Sequence, residues 1–338
     1  MPISPTCSIT SEHKPIPNMK NVLIVHAHHE PKSFCSALKD RVVETFRQQG
    51  ANVVVSDLYA QRFDPVSDRR NFVSTADADY LKQQVEEAHA ADHDGFAPEI
   101  ETEIRKVEAC DFLLFSFPLW WFGLPGILKG WVDRVLTYKR VYGVGKWYDR
   151  GSGFGKRAMA VLTTGGPATA YSGLGIQPAM RVVLQPVHHG IFWFNGFIPL
   201  EPFVSWGPAH LKEEERRMEL ERIAAAITDL DQRPELPHLD LDNFDPETFL
   251  DRSKRFMAVW RLASKLPNEA DELVAKERAT LQEMSRRGDV LQHWMATTRE
   301  QGYIILRAED EIHAGKRLQE LPLRRFLEFE ISEVTQTL

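Results

Sequence analysis

The sequence predicts an α/β protein with a doubly wound parallel sheet of five strands, followed by a smaller α+β domain. Residues 22–25, 33–49 and 53–55 have the pattern of a strand, an amphipathic helix and a second strand, which is the repeating unit of a parallel sheet. Residues 112–117 are apolar except for Ser116, as expected for a strand buried on both faces. Residues 231–249 are rich in proline and acidic side chains, and a new pattern begins after them. The length of 338 residues also exceeds that of one average domain.

The composition excludes several classes of protein. A net charge of −7 argues against a general nucleic-acid or membrane-surface binder, and no apolar run approaches the roughly 20 residues of a membrane-spanning helix. The three cysteines follow no spacing pattern, which favours a reducing compartment, so we expect a cytoplasmic protein. Residues 1–18 lack the apolar block of a signal peptide and are expected to form a flexible arm.

The elements of the first domain, predicted over residues 19–230, follow from hydrophobic periodicity and from helix-ending signals. Gly50 ends the first helix, and Pro125 suits the first turn of a later one. The glutamate-rich helix near residue 220 is expected to turn Met218 and Ile223 inward. Besides the strands above, the expected elements are a polar excursion with some helix at 64–95, a helix at 98–109, a helix after Pro125, a fourth strand at 157–163, a fifth at 190–198 and a helix at 213–230.

A linker or ordered strap is expected over residues 231–252, and the second domain over residues 253–338. Its predicted elements are strands at 255–262, 290–295, 302–307 and 326–334, with helices at 268–287 and 310–319. The order β-α-β-β-α-β is that of a split, ferredoxin-like α+β domain.

A phosphate-binding site is predicted at the start of the first helix. Lys32 and Ser33 lie there, where unpaired N–H groups and the helix dipole favour an anion. A helix cap made by Ser33 alone explains the same residues equally well. The loop after the first strand lacks the glycine pattern of a dinucleotide-binding turn, and GSGFGK at Gly151 precedes a strand rather than following one.

Two further loops are expected at the carboxyl ends of strands, where open α/β sheets bind ligands. One is the aromatic sequence PLWWFG at residues 118–123, and the other is TTGG at residues 163–166. Paired glycines let a backbone approach a ring closely, although a plain tight turn would also use them. The coincidence of three such loops predicts a flat, phosphorylated cofactor, which means a flavin.

The same segments carry a resemblance to a known family. The HxxxxSF loop, SDLYA at Ser56, FPLWWFGLPGILKGW, TTGG with Tyr171 and GFIPLEP at Gly196 make the chain from Asn21 to about Leu230 similar to the flavodoxin-like NAD(P)H:quinone oxidoreductases (the DT-diaphorase family). The resemblance covers about two-thirds of the chain. It implies a flavodoxin-like fold, a non-covalently bound flavin and a homodimer.

The resemblance also assigns cofactor contacts by position. It implies FAD rather than FMN, because Arg216 falls where the family approaches the far end of FAD; an exposed helical arginine with no such role remains open. Cys35 replaces a polar cofactor contact. The other implied contacts are His28, Lys32, Ser33 and Phe34 at the phosphates and ribityl chain, Pro118, Leu119, Trp121 and Phe122 at the ring, and Thr163, Thr164, Gly165, Gly166 and Tyr171 at its polar edge.

The implied reaction is a ping-pong reduction of a quinone or related aromatic acceptor by NAD(P)H. Nicotinamide and acceptor use the same site in turn, and Tyr171 stabilises charge on the reduced ring. Gln177 stands where the best-known members carry a histidine, so we expect hydride transfer with altered rate and pH dependence. The substrate contacts implied are Trp121, Phe122, Tyr142, Val144 and Phe194, with Tyr142 and Phe194 reaching across a dimer interface.

Two features of the sequence leave alternatives open. His26, His28, His29, His188 and His189 lack accompanying carboxylates or cysteines, so no metal site is predicted. Residues 255–334 resemble muconolactone isomerase and its dimeric α/β-barrel relatives through RRGD at Arg286, GYIILRAED at Gly302 and LPLRRFLEFEISEV at Leu321. In that domain Glu277, His293 and Trp294 are pocket candidates, with a solvated charge and core packing as the plainer interpretations. The domain could act as a lactone isomerase, bind a small aromatic molecule or only dimerise, and the flavin domain could then serve regulation.

Overall fold

The computed structural model describes residues 20–251, 253–267 and 270–335. Its first domain is built on a six-stranded sheet in the order β2-β1-β3-β4-β5, with β6 also paired to β4, and every pairing is parallel. The expected arm at residues 1–18 lies outside the described residues. The strands are β1 (Asn21–His26), β2 (Asn52–Asp57), β3 (Phe112–Pro118), β4 (Arg157–Thr164), β5 (Ile198–Pro199) and β6 (Phe203–Trp206).

Helices cover both faces of this sheet and enclose two separate apolar cores. Strands β3 and β4 are buried along their whole length, which explains why apolar residues follow one another in both strands instead of alternating with polar ones. The doubly wound parallel fold is therefore confirmed. The helices are α1 (Phe34–Gln48), α2 (Gln83–Asp92), α3 (Pro98–Ala109), α4 (Gly126–Val135), two short ones, α5 (Met180–Val183) and α6 (Gln185–Val187), and α7 (Glu213–Thr228).

The prediction of a fifth strand at residues 190–198 is wrong. Residues His188–Phe192 form a π-helical turn and Trp193–Asn195 a 3₁₀ turn, which ends at Gly196 with φ of 91°. The helical turns bury Phe192 and Trp193 together, and Phe192 meets Phe115 of β3 edge to face at 4.9 Å between ring centroids. A short aromatic run serves a buried turn as well as a strand, so its composition could not distinguish them.

Helix α7 confirms one inward residue and contradicts another. Ile223 is fully buried in the core that also contains Phe46 of α1. Met218 is exposed, so its predicted inward orientation is wrong. The helix covers the core with its C-terminal half, while its glutamate-rich first turns face solvent.

The second domain has its own antiparallel sheet in the order β10-β7-β9-β8. Its core joins Phe256, Ile304 and Leu306 of the sheet to Met284 and Leu318 of the helices. The element order β-α-β-β-α-β agrees with the prediction. The elements are β7 (Lys254–Leu262), α8 (Ala270–Arg286), β8 (Val290–Met295), β9 (Gln301–Ala308), α9 (Glu311–Leu318) and β10 (Leu327–Val334).

The segment that follows α7 packs on the first domain as an ordered strap over residues 233–239. The backbone N–H of Leu236 donates to the carbonyl of Pro199 at 2.8 Å, and that of Glu201 donates to Pro234 at 2.8 Å. The indole of Trp193 donates to the Leu239 carbonyl at 2.9 Å. The strap therefore pairs with the edge of the sheet at β5. Within the described ranges, no helix is long and apolar enough to cross a membrane.

Candidate active site at the carboxyl ends of the strands

Three loops meet at the carboxyl end of the first sheet. The backbone N–H of Leu119, after β3, donates to the carbonyl of Thr163 in β4 at 2.8 Å. His28 and His29, after β1, stack on each other at 4.8 Å and lie 6.1 and 5.6 Å from the ring of Trp120. The structure thus brings the β1, β3 and β4 loops into one site, where the sequence predicted ligand binding.

The aromatic loop after β3 is held in a strained conformation. Trp121 and Phe122 both have positive φ, 51° and 60°, in the left-handed region that side chains with a Cβ rarely adopt. A turn in which Gly123 N–H donates to the Trp120 carbonyl at 3.0 Å holds them there, and Trp121 remains 97% exposed. Each such residue costs on the order of 1–3 kcal/mol, and such strain concentrates at functional sites. The fold thus keeps two large rings at the rim of the site.

Aromatic rings from the loop after β4 and from β6 form a second wall of the site. Tyr171 lies 6.5 Å from Phe122 and 5.6 Å from Trp206 of β6. The N–H of Gly207, next to Trp206, donates to the Thr164 carbonyl at 3.1 Å. Trp206 is absent from the residues predicted from the sequence because β6 was not predicted; the available signal was the short run FVSW, which contains aromatic and β-branched residues.

The TTGG turn leaves space above its backbone. A Cβ placed on Gly165 would meet no atom within 4 Å, and one on Gly166 would come no nearer than 3.6 Å, to the ring of Tyr171. The hydroxyl of Thr164 donates to the Gly166 carbonyl at 2.8 Å and so fixes the turn. Thr163 and Thr164 are both buried. The glycines therefore present an open backbone edge beside Tyr171.

The first turn of α1 lies where the sequence predicts a phosphate-binding site. Ser33 caps the helix by accepting the N–H of Ser36 at 3.1 Å. Among the described residues, the N–H groups of Phe34 and Cys35 have no hydrogen-bond partner, and both point out of the helix start. Lys32 is exposed beside them. The geometry of this helix start is thus compatible with both interpretations of Ser33, as a helix cap and as part of a phosphate-binding site.

A buried network of hydrogen bonds holds the start of this helix in place. The Nδ1 of His26 lies 3.0 Å from Ser116 Oγ, and its Nε2 lies 3.2 Å from Ser36 Oγ. The Ser36 hydroxyl donates to the Glu30 carbonyl at 3.0 Å, so Nε2 must be the ring donor and Nδ1 accepts from Ser116. Burial lowers the pKa of His26 to about 4, which keeps it neutral. His26 therefore positions the loop rather than carrying a charge.

Cys35 faces the interior at the same point. Its side chain is buried beside Ser116 and Thr163, and burial raises the pKa of the thiol to about 12. The thiol is therefore protonated at neutral pH, and only the N–H of Cys35 is presented at the helix start.

Hydrogen bonds to backbone carbonyls hold Gln177 and Arg216 near this site. The N–H of Gln177 donates to the Ala170 carbonyl at 2.9 Å, which holds Gln177 on the loop that carries Tyr171. The guanidinium of Arg216 is exposed and donates to the Pro208 carbonyl at 3.2 Å, two residues after Trp206. Arg216 thus ties the start of α7 to the β6 loop.

Tyr142, Phe194 and Val144 belong to a different cluster. Tyr142 and Tyr148 meet Phe194 at 5.6 and 5.4 Å, and the Tyr148 hydroxyl lies 3.3 Å from His189 Nε2. Val144 is exposed. Within the part of the chain that the structure describes, none of these rings contacts Trp121 or Tyr171. A single subunit therefore does not bring the two groups of predicted substrate residues together.

The described histidines do not converge on a metal-binding group. Among residues 20–251, 253–267 and 270–335, no group of three or more His, Cys, Asp or Glu side chains is placed to hold an ion. His188 is instead buried beside Phe192, where burial lowers its pKa to about 4.

Comparisons with known proteins agree with this architecture. Residues 20–227 match the family described as having a flavodoxin-like fold, and residues 257–336 match muconolactone delta-isomerase. Human ribosyldihydronicotinamide dehydrogenase [quinone] is 40% identical over 199 residues, 59% of this chain and 86% of that protein.

Two further relatives point the same way. Guinea pig (Cavia porcellus) NAD(P)H dehydrogenase [quinone] 1 is also 40% identical, over 59% of this chain and 72% of that protein. A crystal structure from Klebsiella pneumoniae that was assigned as a quinone reductase is 29% identical with a TM-score of 0.65, covering 69% of this chain and 94% of that one. In addition to a C-terminal segment that matches muconolactone delta-isomerase, the chain therefore belongs to the flavodoxin-like NAD(P)H:quinone oxidoreductases, a family of enzymes.

Proposed function

We propose that this chain catalyses the two-electron reduction of quinones by NAD(P)H, with FAD held non-covalently at the carboxyl ends of β1, β3 and β4. The strained pair Trp121 and Phe122 carries this proposal, together with Tyr171, which lies between Phe122 and Trp206. Aromatic side chains kept at a rim at the expense of backbone strain fit a flat ligand that enters and leaves. The names of the two mammalian relatives, both quinone dehydrogenases, support a quinone acceptor.

The residues present fit a flavin. The free N–H groups of Phe34 and Cys35 and the side chain of Lys32 suit its phosphates, and the open backbone at Gly165 and Gly166 suits its polar edge. When bound, the flavin would accept a hydride from the nicotinamide and pass two electrons to the acceptor. We infer FAD rather than FMN from Arg216, whose guanidinium extends the site beyond β6.

The proposed roles of the protein side chains follow from their chemistry. The Tyr171 hydroxyl would hold a bound flavin by a hydrogen bond and would stabilise negative charge beside it. Gln177 can donate and accept a hydrogen bond but cannot titrate, so we expect no histidine-like step in the pH profile from this position. Nicotinamide and acceptor would use the same site in turn, which predicts ping-pong kinetics.

A second copy of the chain is proposed to complete the site. Tyr142 and Phe194 form a cluster apart from Trp121, and the loop after Tyr171 exposes Leu174 and Ile176 almost completely. Exposed apolar side chains next to a site are typical of a subunit interface. In a homodimer, Tyr142, Val144 and Phe194 of one subunit would cover the cofactor ring of the other. We also propose a cytoplasmic location, since Cys35 and Cys110, the cysteines in the described ranges, are free and buried.

The test begins with the purified protein. Flavin released by denaturation is identified, and NADPH, NADH and dihydronicotinamide riboside are compared as donors, because the relatives' names include both kinds. Bound FAD, bleaching by a donor and parallel lines in steady-state plots with a benzoquinone are expected. A protein that takes up neither FAD nor FMN would contradict the proposal.

The role of Tyr171 has its own test. We expect Tyr171→Phe to lower kcat with the quinone by about tenfold or more at little change in KM, because the lost hydrogen bond acts on developing charge. The control is Tyr80→Phe, at an exposed tyrosine outside the site. Equal kcat values for the two variants would remove Tyr171 from the mechanism.

A further inference from the structure

The second domain contains a cavity that the quinone reductase chemistry does not use. It has a volume of about 340 Å³ and lies between α8 and the sheet. Trp260 and Ile304 of the sheet and Val274 and Leu281 of α8 contribute to a mainly apolar lining. Small-molecule sites usually are concave and apolar, of about 300 Å³ or more, with a few polar groups that orient the ligand. The cavity has these properties.

Glu277 supplies one polar group in this lining. It projects from α8, is only 8% exposed, and accepts the backbone N–H of Leu323 through Oε2 at 2.9 Å. Its other oxygen, Oε1, has no hydrogen-bond partner among the described residues and is not fully enclosed, so a molecule in the cavity can reach it. An ionised carboxylate can only accept hydrogen bonds, so a ligand that satisfies Oε1 must carry a donor. A buried carboxylate with a free oxygen is costly unless a ligand or water completes it.

The remaining lining limits the shape of that ligand. Trp260 and Trp294 both line the cavity, and Trp294 stacks on Tyr303 at 6.4 Å with an interplanar angle of 29°. Flat aromatic walls favour a flat apolar ligand. The other charged or titratable groups that line the cavity are Asp271, Arg278, His293 and Arg299. Among the described residues, no ion pair joins any of these groups to Glu277.

We propose that this cavity binds a small hydroxylated aromatic molecule of one or two rings. The ligand hydroxyl donates to Oε1 of Glu277, and the ring packs against Trp260 and Leu281. If the proposed function of the first domain holds, its hydroquinone products are members of this ligand class, so the fusion places a receiving site on the chain that makes them.

The experiment is isothermal titration of the full-length protein, with its flavin and without any nicotinamide donor. The probe is 2-naphthol, and 2-methoxynaphthalene is the matched ligand that lacks the hydroxyl donor. We expect Glu277→Gln to weaken 2-naphthol about tenfold and to leave the methoxy compound unchanged, because only the hydroxyl uses the carboxylate. The control is Glu272→Gln, which removes an exposed carboxylate on the same helix.

A second variant keeps the test independent of the Glu277 substitution. Val274→Phe fills part of the cavity without changing its charge, and we expect it to weaken both ligands. Anaerobically prepared 1,4-dihydroxynaphthalene should displace 2-naphthol, which tests the hydroquinone class directly. Equal affinity of wild type for the two naphthalene compounds, or a 2-naphthol affinity that both variants leave unchanged, overturns the proposal.

The flavin spectrum, recorded during the titration, separates the two domains. A 2-naphthol signal that perturbs the flavin and ignores Glu277→Gln would locate binding in the first domain and overturn the cavity proposal. NAD(P)H oxidation is measured separately on the same preparations. Loss of donor oxidation with retained Glu277-dependent binding would contradict only the proposed function.

Discussion

His188 illustrates how single buried residues set the pH response of the first domain. Its Nε2 is buried without a hydrogen-bond partner among the described residues, whereas both ring nitrogens of His26 have hydroxyl partners. Burial lowers the pKa of each to about 4, while the ordinary value, expected in the unfolded chain, is about 6.5. Between these values the unfolded chain binds more protons, so stability is full above about pH 7 and declines as the pH falls through 6.5 toward 4.

A substitution at His188 tests this linkage. We expect His188→Leu to raise the free energy of unfolding at pH 7 by about 1 kcal/mol, because the unpaired buried nitrogen is removed. Between pH 7 and pH 5 the variant should lose about 2 kcal/mol less than wild type, while the contribution of His26 remains. Urea unfolding at the two pH values measures both effects, with His210→Gln at an exposed position as control. An equal pH-dependent loss in wild type and His188→Leu would contradict the assignment.

At the scale of elements, the loop after β3 and the start of α1 each have a structural role and a proposed role in ligand binding. The loop holds two non-glycine residues at positive φ, and the helix start pairs a serine cap with free N–H groups. Each element therefore contains a position where stability and ligand binding can be separated by substitution.

Trp121→Gly separates strain from function in the loop. Glycine removes the positive-φ strain, and little burial is lost because Trp121 is almost fully exposed, so we expect the free energy of unfolding to rise by about 1 kcal/mol. The kcat/KM for quinone should fall at least tenfold. Arg62→Gly is the matched control, at an exposed residue with φ of 52° outside the site. Unchanged kcat/KM in Trp121→Gly would show that the strained ring is not part of the site.

Ser33→Asp distinguishes the role of Ser33 as a helix cap from its role in a phosphate-binding site. Aspartate caps helices as well as serine, so stability should stay within about 0.5 kcal/mol of wild type. Its charge would repel a phosphate, and we expect FAD affinity to fall about tenfold to a hundredfold. Flavin fluorescence titration of the apoprotein measures this, with Ser33→Thr as the control that keeps the cap neutral. If FAD affinity is unchanged, Ser33 is only a cap.

At the scale of the whole molecule, the chain combines two domains that have separate apolar cores. The first domain contains two apolar cores that flank its sheet, and the second domain has its own. The strap at 233–239 completes the first domain, because the side chain of Arg233 donates to the carbonyls of Glu201 and Pro202, and Leu236 and Leu239 also hydrogen-bond to this domain.

Truncation tests this division. A chain that ends at residue 251 should retain flavin and donor-dependent quinone reduction. A chain that ends at residue 232 should have a lower Tm, because it loses the strap that pairs with β5. Thermal unfolding and steady-state assays compare the two. Loss of activity in the longer truncation, with its flavin retained, would assign the second domain a role in the reaction.

The sequence by itself determined the parallel sheet, the three loops at its carboxyl end and the order of the second domain's elements. Those features rest on local signals: the apolar runs of β1, β3 and β4, the cap at Ser33, and the Gly and Pro residues that end elements.

Only the tertiary structure decided the features that depend on distant partners. Residues 188–195 became helical turns because Phe192 packs on Phe115, and Trp206 joined the site because β6 pairs with β4. The same holds for the tautomer of His26, which Ser36 and Ser116 fix, and for the free oxygen of Glu277, which depends on the cavity around it. Local periodicity carries no information on such long-range contacts, since the same apolar residues satisfy more than one backbone conformation.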